Sequence, residues 1–223
     1  MGYHRAGFEV VGVDINPQPY YPFEFHQGDA LQVTRWLTKG AGYESMFLSD
    51  FDAVHASPPC QFATQTSVRW RGKGGLADDR LDLLTPTLAL LRDLSIPWVV
   101  ENVVGAAKVP GFDPCLRLHG GMFGLGTRRV RLFASNVLLL APREPAMVGG
   151  IGIYGERPDG RILNYQSQQR AASSLEQAQA AMGMDWADWH GTKEAIPPAY
   201  TEFIGAQLLQ HLGQPLPSPV KEQ

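Results

Sequence analysis

The sequence contains few cysteines, no long hydrophobic run and no overall excess of basic residues. Two cysteines in 223 residues cannot form a disulfide framework, and no Cys/His cluster has the spacing of a zinc site. No apolar run approaches the roughly 20 residues that span a bilayer. Polar residues interrupt the N-terminus from His4 onward, unlike a signal peptide. These absences favour a metal-free protein of a reducing, cytoplasmic compartment.

The distribution of charged residues along the chain is more informative than the net charge. The net charge of −3 gives no global signal for nucleic-acid binding. However, residues 117–131 contain four arginines and no acid, and Arg69, Arg71 and Lys73 precede any acid in the polar stretch after Cys60. Such local patches bind phosphate or form solvated loops. With 44% hydrophobic and 18% charged residues, the chain suits one substantial globular domain.

A Pro-Pro-Cys turn follows one of the apolar segments. Residues 51–55 are strand-like, and Ala56-Ser57-Pro58-Pro59-Cys60-Gln61 come next. The two prolines restrict the backbone and remove two hydrogen-bond donors, so the turn presents Cys60 just beyond a strand end. Ligands bind in that crevice of open α/β sheets. Cys60 is therefore either a nucleophile or a small buried thiol.

Strands and helices alternate over the first hundred residues. Residues 8–14, 23–29, 51–55 and 96–103 are typical of strands, and residues 31–37 and 78–94 are typical of helices, the second kinked at Pro86. This alternation predicts a doubly wound parallel sheet. The strand ends, and with them four polar side chains, then lie on one edge of the sheet: Asp14, Asp29, Cys60 and Glu101.

Both aspartates also have a structural interpretation. Asp14 either accepts hydrogen bonds from a ribose or caps the turn at Asn16-Pro17. Asp29 either contacts an adenine amino group or caps the following helix.

The pattern changes after Glu101. Residues 116–119 and 130–134 alternate in polarity and predict an antiparallel pair with a Gly-rich connection. Residues 142–160 are rich in Gly and Pro and predict surface loops. A helix over 173–182 is expected to be capped by Ser173 or Ser174. The last helix is predicted to run from Pro198 to Gly213, with four residues inward: Tyr200, Phe203, Ile204 and Leu208.

Several motifs together resemble the DNA (cytosine-5) methyltransferase family, notably its phage and bacterial members. The resemblance spans residues 8–209 in collinear order. Its motifs are Pro58–Gln61, Glu101–Val103, Gly121–Leu125, Arg128–Phe133 and Ile196–Tyr200. It implies a Rossmann-like methyltransferase core over residues 1–140, a small irregular target-recognition region over 141–184, and a C-terminal helix and tail over 185–223.

The resemblance also implies a function for the site residues. Cys60 would add to C6 of a flipped-out cytosine and activate C5 for methylation. Glu101, desolvated and raised in pKa, would hold N3 and the exocyclic amine. Arg129 and Arg131, two apart on a strand and on one face, would steady O2 of the base and the neighbouring loop; phosphate contacts or surface ion pairs are the alternative.

S-adenosylmethionine is the implied cofactor and double-stranded DNA the implied partner. The cofactor residues would be Asp14, Ile15, Asp29, Ala30, Pro58 and Tyr200. A lid over residues 61–75 would close on DNA. The DNA contacts would be Gln61, Ser67, Arg69, Arg71, Lys73 and Arg128.

The chain departs from the family at three places. The first strand and its Gly-rich turn, which cradle the methionine end of the cofactor, have no counterpart before Met1-Gly2-Tyr3-His4. The interpretations are a late start, a truncation or a loss of cofactor binding, and we expect weak cofactor binding. Thr127 stands where the family usually has Gln, and the recognition region is short, which predicts a short site or a second chain.

Three functions follow from these patterns: a DNA cytosine-5 methyltransferase of a restriction-modification or protective system, a catalytically impaired DNA-binding or interaction protein that keeps the fold, and an RNA cytosine-5 methyltransferase.

Overall fold

The protein is an α/β protein with both parallel and antiparallel strands. The structure is a computed structural model and describes residues 1–59, 82–143, 149–155, 158–160, 162–164 and 169–215. The described helices are α1 Gly2–Ala6, α2 Ala30–Thr38, α3 Leu84–Arg92, α4 Leu175–Met182, α5 Trp189–Glu194 and α6 Pro198–His211. The described strands are β1 Val11–Asp14, β2 Glu24–Gln27, β3 Val54–Ala56, β4 Trp98–Asn102, β5 Leu116–Leu118, β6 Arg131–Ser135, β7 Ile151–Gly152, β8 Ile162–Asn164 and β9 Gln169–Ala171.

Strands β1 and β2 form a parallel pair near the N-terminus. Val11 lies opposite Glu24 and Asp14 opposite Gln27, so the two strands end together. Asp29 follows and caps α2, because its Oδ1 accepts hydrogen bonds from the backbone of Leu31 at 2.9 Å and of Gln32 at 3.3 Å. The carboxyl ends of both strands therefore lie beside the start of a helix.

A four-stranded sheet forms the centre of the fold, in the order β3-β4-β6-β5. The pair β3 and β4 is parallel, whereas β4 with β6 and β5 with β6 are antiparallel. The predicted antiparallel pair after Glu101 is thus confirmed. All five residues of β4 are buried, as expected of an apolar strand with neighbours on both sides.

The described strands lie in separate sheets rather than in the single sheet that the alternation predicts. Within the described residues β1 pairs only with β2, and β3 pairs only with β4. One backbone edge of each strand therefore has no strand partner in this part of the chain. Such edges are available to another strand.

Helices cover both faces of the central sheet. Trp98 and Val100 of β4 pack in one core cluster with Leu88 of α3. Val99 points to the other face, where it belongs to a cluster with Tyr200 and with further residues of α6. Because side chains alternate along a strand, Glu101 extends from the face that carries Val99. We call this the α6 face.

Helix α3 begins later than the sequence pattern suggests. It starts at Leu84, so Pro86 lies in the first turn, where backbone N–H groups have no intrahelical partner. The expected kink at Pro86 was therefore wrong. The start of α3 is capped by Asp82, whose side chain accepts hydrogen bonds from the backbone N–H groups of Leu84 and Thr85. The predicted residues 78–81 lie outside the described residues.

Residues 141–184 contain a small sheet with its own core. Strands β7, β9 and β8 are adjacent in that order, with β7 and β9 parallel and β8 and β9 antiparallel. Ile153 packs with Met182 of α4 and Met184. A region predicted as surface loops therefore includes regular structure. Ser174 accepts a hydrogen bond from the backbone of Gln177, which confirms it as the cap of α4.

Candidate active site

The turn after β3 is fastened to the end of β4. The side-chain amide of Asn102 donates a 3.0 Å hydrogen bond to the carbonyl oxygen of Pro58. Asn102 is 1% exposed, and its own Oδ1 accepts a hydrogen bond from the backbone of Val103. The backbone that leads to Cys60 is therefore held at a buried point. Six predicted site residues lie outside the described residues: Cys60, Gln61, Ser67, Arg69, Arg71 and Lys73.

Glu101 and Arg131 form a buried ion pair on the α6 face. The Nε atom of Arg131 lies 2.7 Å from Oε1 of Glu101, and their side chains are 15% and 8% exposed. The register places Glu101 opposite Phe133, so Arg131 is its diagonal neighbour across β4 and β6. Oε1 nevertheless accepts no well-aligned hydrogen bond from the described residues. Arg131 therefore holds Oε1 mainly through its charge rather than through a well-aligned hydrogen bond.

Burial raises the pKa of Glu101 above its ordinary value, as the sequence predicts. The charges of Arg131 and Arg129 and a hydrogen bond from Ser57 oppose this rise and lower the pKa again. A carboxyl group in this environment is more easily protonated than one in water, and it can then donate a hydrogen bond. It remains close to two cations that stabilise its charged form.

Arg129 has a different position from the one predicted. Strand β6 begins at Arg131, and Arg129 precedes it with a φ of 27°, so the two arginines do not share a strand. The guanidinium donates to the carbonyl oxygens of Ala195, at 2.8 Å, and Lys193. Burial, and secondarily the charge of Arg131, lowers the pKa of Arg129 to about 10. It thus joins the site to the segment before α6.

Tyr200 completes this connection from the side of α6. It is fully buried, and its hydroxyl donates to the carbonyl oxygen of Arg129 at 3.0 Å and lies 3.4 Å from that of Arg128. Tyr200 therefore fixes the backbone from which Arg129 extends. The Arg128 side chain is exposed. The cofactor contact of Tyr200 and the DNA contact of Arg128 stay predictions.

The remaining cofactor candidates lie at the ends of β1 and β2. Asp14 caps its turn, because Oδ1 accepts a 2.8 Å hydrogen bond from the backbone of Asn16. Its Oδ2, like that of Asp29, receives no hydrogen bond from the described residues. Ile15 is 65% exposed beside them, and Ala30 is exposed at the start of α2. Each of the two aspartates is thus followed in the sequence by an exposed aliphatic residue, which suits an adenosine with its apolar ring and its hydroxyl and amino donors.

The structure brings together Glu101, Arg129, Arg131, Pro58 and Tyr200. It places Asp14, Ile15, Asp29 and Ala30 at the ends of a different sheet.

A hydrogen-bonded chain beside Glu101 was not foreseen from the sequence. The Tyr3 hydroxyl lies 2.7 Å from Nδ1 of His55, and Nε2 of His55 lies 2.9 Å from the hydroxyl of Ser57. Positions 55 and 57 are polar and alternate with the apolar Val54 and Ala56. This alternation could have predicted that His55 and Ser57 share one face of the sheet. Asn102 was missed as an anchor because no local pattern shows that it faces the Pro58 carbonyl.

No protein-family model matches this chain, and no curated protein matches it significantly. In the described part of the chain, no three or more His, Cys, Asp or Glu side chains are grouped so that they could hold a metal ion. None of the described helices has both the length and the apolar character needed to cross a membrane.

Proposed function

We propose that the protein is a DNA cytosine-5 methyltransferase with a Rossmann-like core. The observation that supports this most is the buried Glu101–Arg131 pair beside the turn that leads to Cys60. The edge of a pyrimidine presents both a hydrogen-bond acceptor and a donor. The Glu101 carboxyl, with its raised pKa, and the Arg131 guanidinium, 2.7 Å from it, can bind both groups. Cys60, which follows this turn in the sequence, would supply the nucleophile.

The reaction begins with addition of the Cys60 thiolate to C6 of cytosine. The new S–C6 bond forms, and the electrons of the C5–C6 double bond make C5 nucleophilic. Charge develops toward N3 and O2 in this step. Protonated Glu101 donates to N3, and its other oxygen accepts from the exocyclic amine. Arg131 donates to O2, while Arg129, held by Lys193 and Ala195, adds positive potential.

The second half of the reaction restores the aromatic ring. S-adenosylmethionine, when bound, supplies an electrophilic methyl group for C5. The C5 proton then leaves to a base, the electrons reform the C5–C6 double bond, and the S–C6 bond breaks to release the Cys60 thiolate. Asp14, Ile15, Asp29 and Ala30 would hold the adenosine end of the cofactor, with Pro58 and Tyr200 nearer the base.

A covalent trap tests the proposal directly. Duplex DNA containing 5-fluorocytosine has no C5 proton to lose, so methylation stops at the adduct. We expect a protein–DNA adduct with the wild type and with Cys115→Ser, which removes the other cysteine, and none with Cys60→Ser. Solvent-hydrogen exchange at cytosine C5, measured without cofactor, follows the addition step alone. Absence of both adduct and exchange in the wild type overturns the enzyme proposal.

One observation favours the second candidate, a DNA-binding or interaction protein without activity. The β1–β2 pair and the central sheet are separate within the described residues, which leaves the adenosine-binding residues on a different sheet from Glu101. DNA binding without exchange at C5 would support this candidate. The same exchange assay on a matched RNA duplex tests the RNA methyltransferase alternative.

A further inference from the structure

Alternation along β3 and into the residue that follows it places His55 and Ser57 on the same face as Glu101. Val54 and Ala56 pack against the core cluster of α3, on the opposite face of the sheet. His55 and Ser57 therefore extend toward α1 and α6. The hydrogen bond between His55 and Tyr3 of α1 agrees with this direction.

The strand register places Ser57 beside Glu101. Ala56 lies opposite Val100 in the parallel pair of β3 and β4. The next residues along the two strands are Ser57 and Glu101, and the hydrogen bond between Pro58 and Asn102 continues the same correspondence. Ser57 and Glu101 are therefore neighbours across the two strands, and hydrogen bonding from Ser57 is among the influences that lower the pKa of Glu101.

The protons of this chain have one arrangement that uses every donor. Desolvation lowers the pKa of His55 to about 4, so its ring is neutral near pH 7, with one donor and one acceptor nitrogen. If Tyr3 donates to Nδ1, then Nε2–H donates to the Ser57 oxygen, and the Ser57 hydroxyl is free to donate to Glu101. The reverse order leaves the Tyr3 proton without an acceptor among the described residues and turns the Ser57 proton away from Glu101.

We propose that Tyr3, His55 and Ser57 form a directed hydrogen-bond chain that positions the Glu101 carboxyl for the substrate base. The inference rests on the proposed function, in which Glu101 contacts the cytosine edge. Tyr3, His55 and Ser57 are positioning residues, since they act through Glu101. The other groups that face Glu101 are Arg131 of β6 and Arg129 before it. Ser57 thus supplies the hydrogen bond from the side of β3, and the arginines supply charge from the side of β6.

The titration of Glu101 tests the chain without substrate or cofactor. Carbon-13 NMR of glutamate-labelled protein, with Glu101→Gln to assign the signal, follows the protonation of this carboxyl. Ser57→Ala removes a hydrogen bond to the charged form, so we expect the protonation constant to rise about tenfold. Tyr3 is not in contact with Glu101. Tyr3→Phe should nevertheless raise the protonation constant of Glu101 severalfold, because the Ser57 hydroxyl is then free to donate to His55 instead. Ser57→Thr keeps the hydroxyl and should restore the wild-type titration.

Controls separate this chain from general effects on the fold. Tyr21→Phe removes the hydroxyl of another partly buried tyrosine and should leave the Glu101 titration unchanged. His55→Gln replaces the ring if Tyr3→Phe does not fold, and it should shift the titration upward. An unchanged titration in folded Ser57→Ala, or a shift in Tyr21→Phe equal to that in Tyr3→Phe, would overturn the inference.

A kinetic readout connects the chain to the reaction. The alkaline limb of cytosine C5 exchange should move to higher pH in Ser57→Ala, in step with the NMR titration, and return in Ser57→Thr. If the wild type shows no exchange, the proposed function fails while the NMR result still decides the chain. If exchange occurs but the titration of Glu101 does not respond to Ser57 or Tyr3, the chain fails and the function stands.

Discussion

The Asn102 side chain holds the Pro58 carbonyl oxygen at 3.0 Å and thereby joins the end of β4 to the turn after β3. The two strands are parallel neighbours, so this bond continues their pairing beyond the last ladder position, Ala56 with Val100. A proline carbonyl that would otherwise lack a partner is satisfied by a buried amide. The same bond fixes where the following residue, Pro59, directs the chain.

Replacing Asn102 should affect both stability and chemistry. Asn102→Ala leaves the Pro58 carbonyl without its donor, which we expect to lower the free energy of unfolding by about 1–3 kcal/mol. Formation of the Cys60 adduct should slow more than the loss of stability explains, because the turn is no longer fixed. Urea unfolding and the 5-fluorocytosine trap measure the two effects.

Asn136 offers a matched control for this prediction. Its side chain accepts from the backbone of Trp98 at 2.8 Å and donates to the carbonyl oxygen of Ile96 at 3.1 Å, at the opposite end of β4. Asn136→Ala should lower stability to a similar degree and leave the rate of adduct formation unchanged. Equal slowing in both variants would contradict a specific role for Asn102.

The Glu101–Arg131 pair predicts a pH-dependent loss of stability. Arg131→Met leaves a buried carboxylate without its nearest cation, so the pKa of Glu101 should rise further and the protein should lose about 3 kcal/mol at pH 8. When the pKa of a carboxyl group is higher in the folded state, the folded protein takes up the proton at a higher pH than the unfolded protein does. Stability is therefore recovered as the pH falls through that pKa. Denaturation at pH 5 and pH 8 measures the difference, and Glu101→Gln in the Arg131→Met background should abolish it.

His26 predicts a pH dependence of the same direction at the other sheet, with stability greater at low pH. Its ring lies 2.8 Å from Glu24 and 2.6 Å from Glu44, and hydrogen bonding, first to Glu24, raises the pKa of His26 above its ordinary value. The stabilisation of the fold by these two ion pairs is fully present below pH 6.5 and is lost as the pH rises through the raised pKa of His26. We expect a change under about 1 kcal/mol, because both glutamates are exposed.

Thermal denaturation between pH 5.5 and pH 8.5 checks this prediction. His26→Gln should remove the pH-dependent component. His190→Gln breaks an exposed pair with Glu194 at 3.3 Å and should leave the component in place. A wild-type protein with the same pH dependence as His26→Gln would contradict the assignment.

Sequence patterns predicted those parts of the fold that depend on local chemistry. The apolar runs that end at Asp14 and Asn102 became strands because their side chains pack on a pleated surface, partly buried in β1 and fully buried in β4. Ser174 and Asp29 capped helices because a short polar side chain reaches the free N–H groups of the next turn. The rise in the pKa of Glu101 was expected from desolvation in the pocket that the family resemblance implies.

Contacts between distant segments were not predictable in the same way. Arg129 and Arg131 alternate as on a strand, but Arg129 is held in a left-handed conformation by carbonyl groups of residues 193 and 195. Tyr3 meets His55 across 52 positions of sequence. Such pairs are set by the packing of whole elements, and no local periodicity encodes them.

The packing of α1 against α6 leads to a last prediction. A Cβ atom at Gly205 would lie 2.7 Å from the Cβ of Ala6, closer than two carbon atoms approach. Gly205→Ala gains up to about 1 kcal/mol of helix propensity, but overpacking costs about 1–3 kcal/mol, so we expect a net loss of stability.

Ala6→Gly in the same chain should recover much of this loss, because it removes the methyl group that Gly205→Ala strikes. The coupling energy of the double-mutant cycle, measured by urea unfolding, should therefore be stabilising by about 1 kcal/mol or more. Helix α1 carries Tyr3 and helix α6 carries Tyr200. Gly205→Ala should therefore shift the Glu101 titration, and the double variant should restore it. Additive stabilities, with a coupling energy near zero, would show that α1 and α6 do not meet at these two residues.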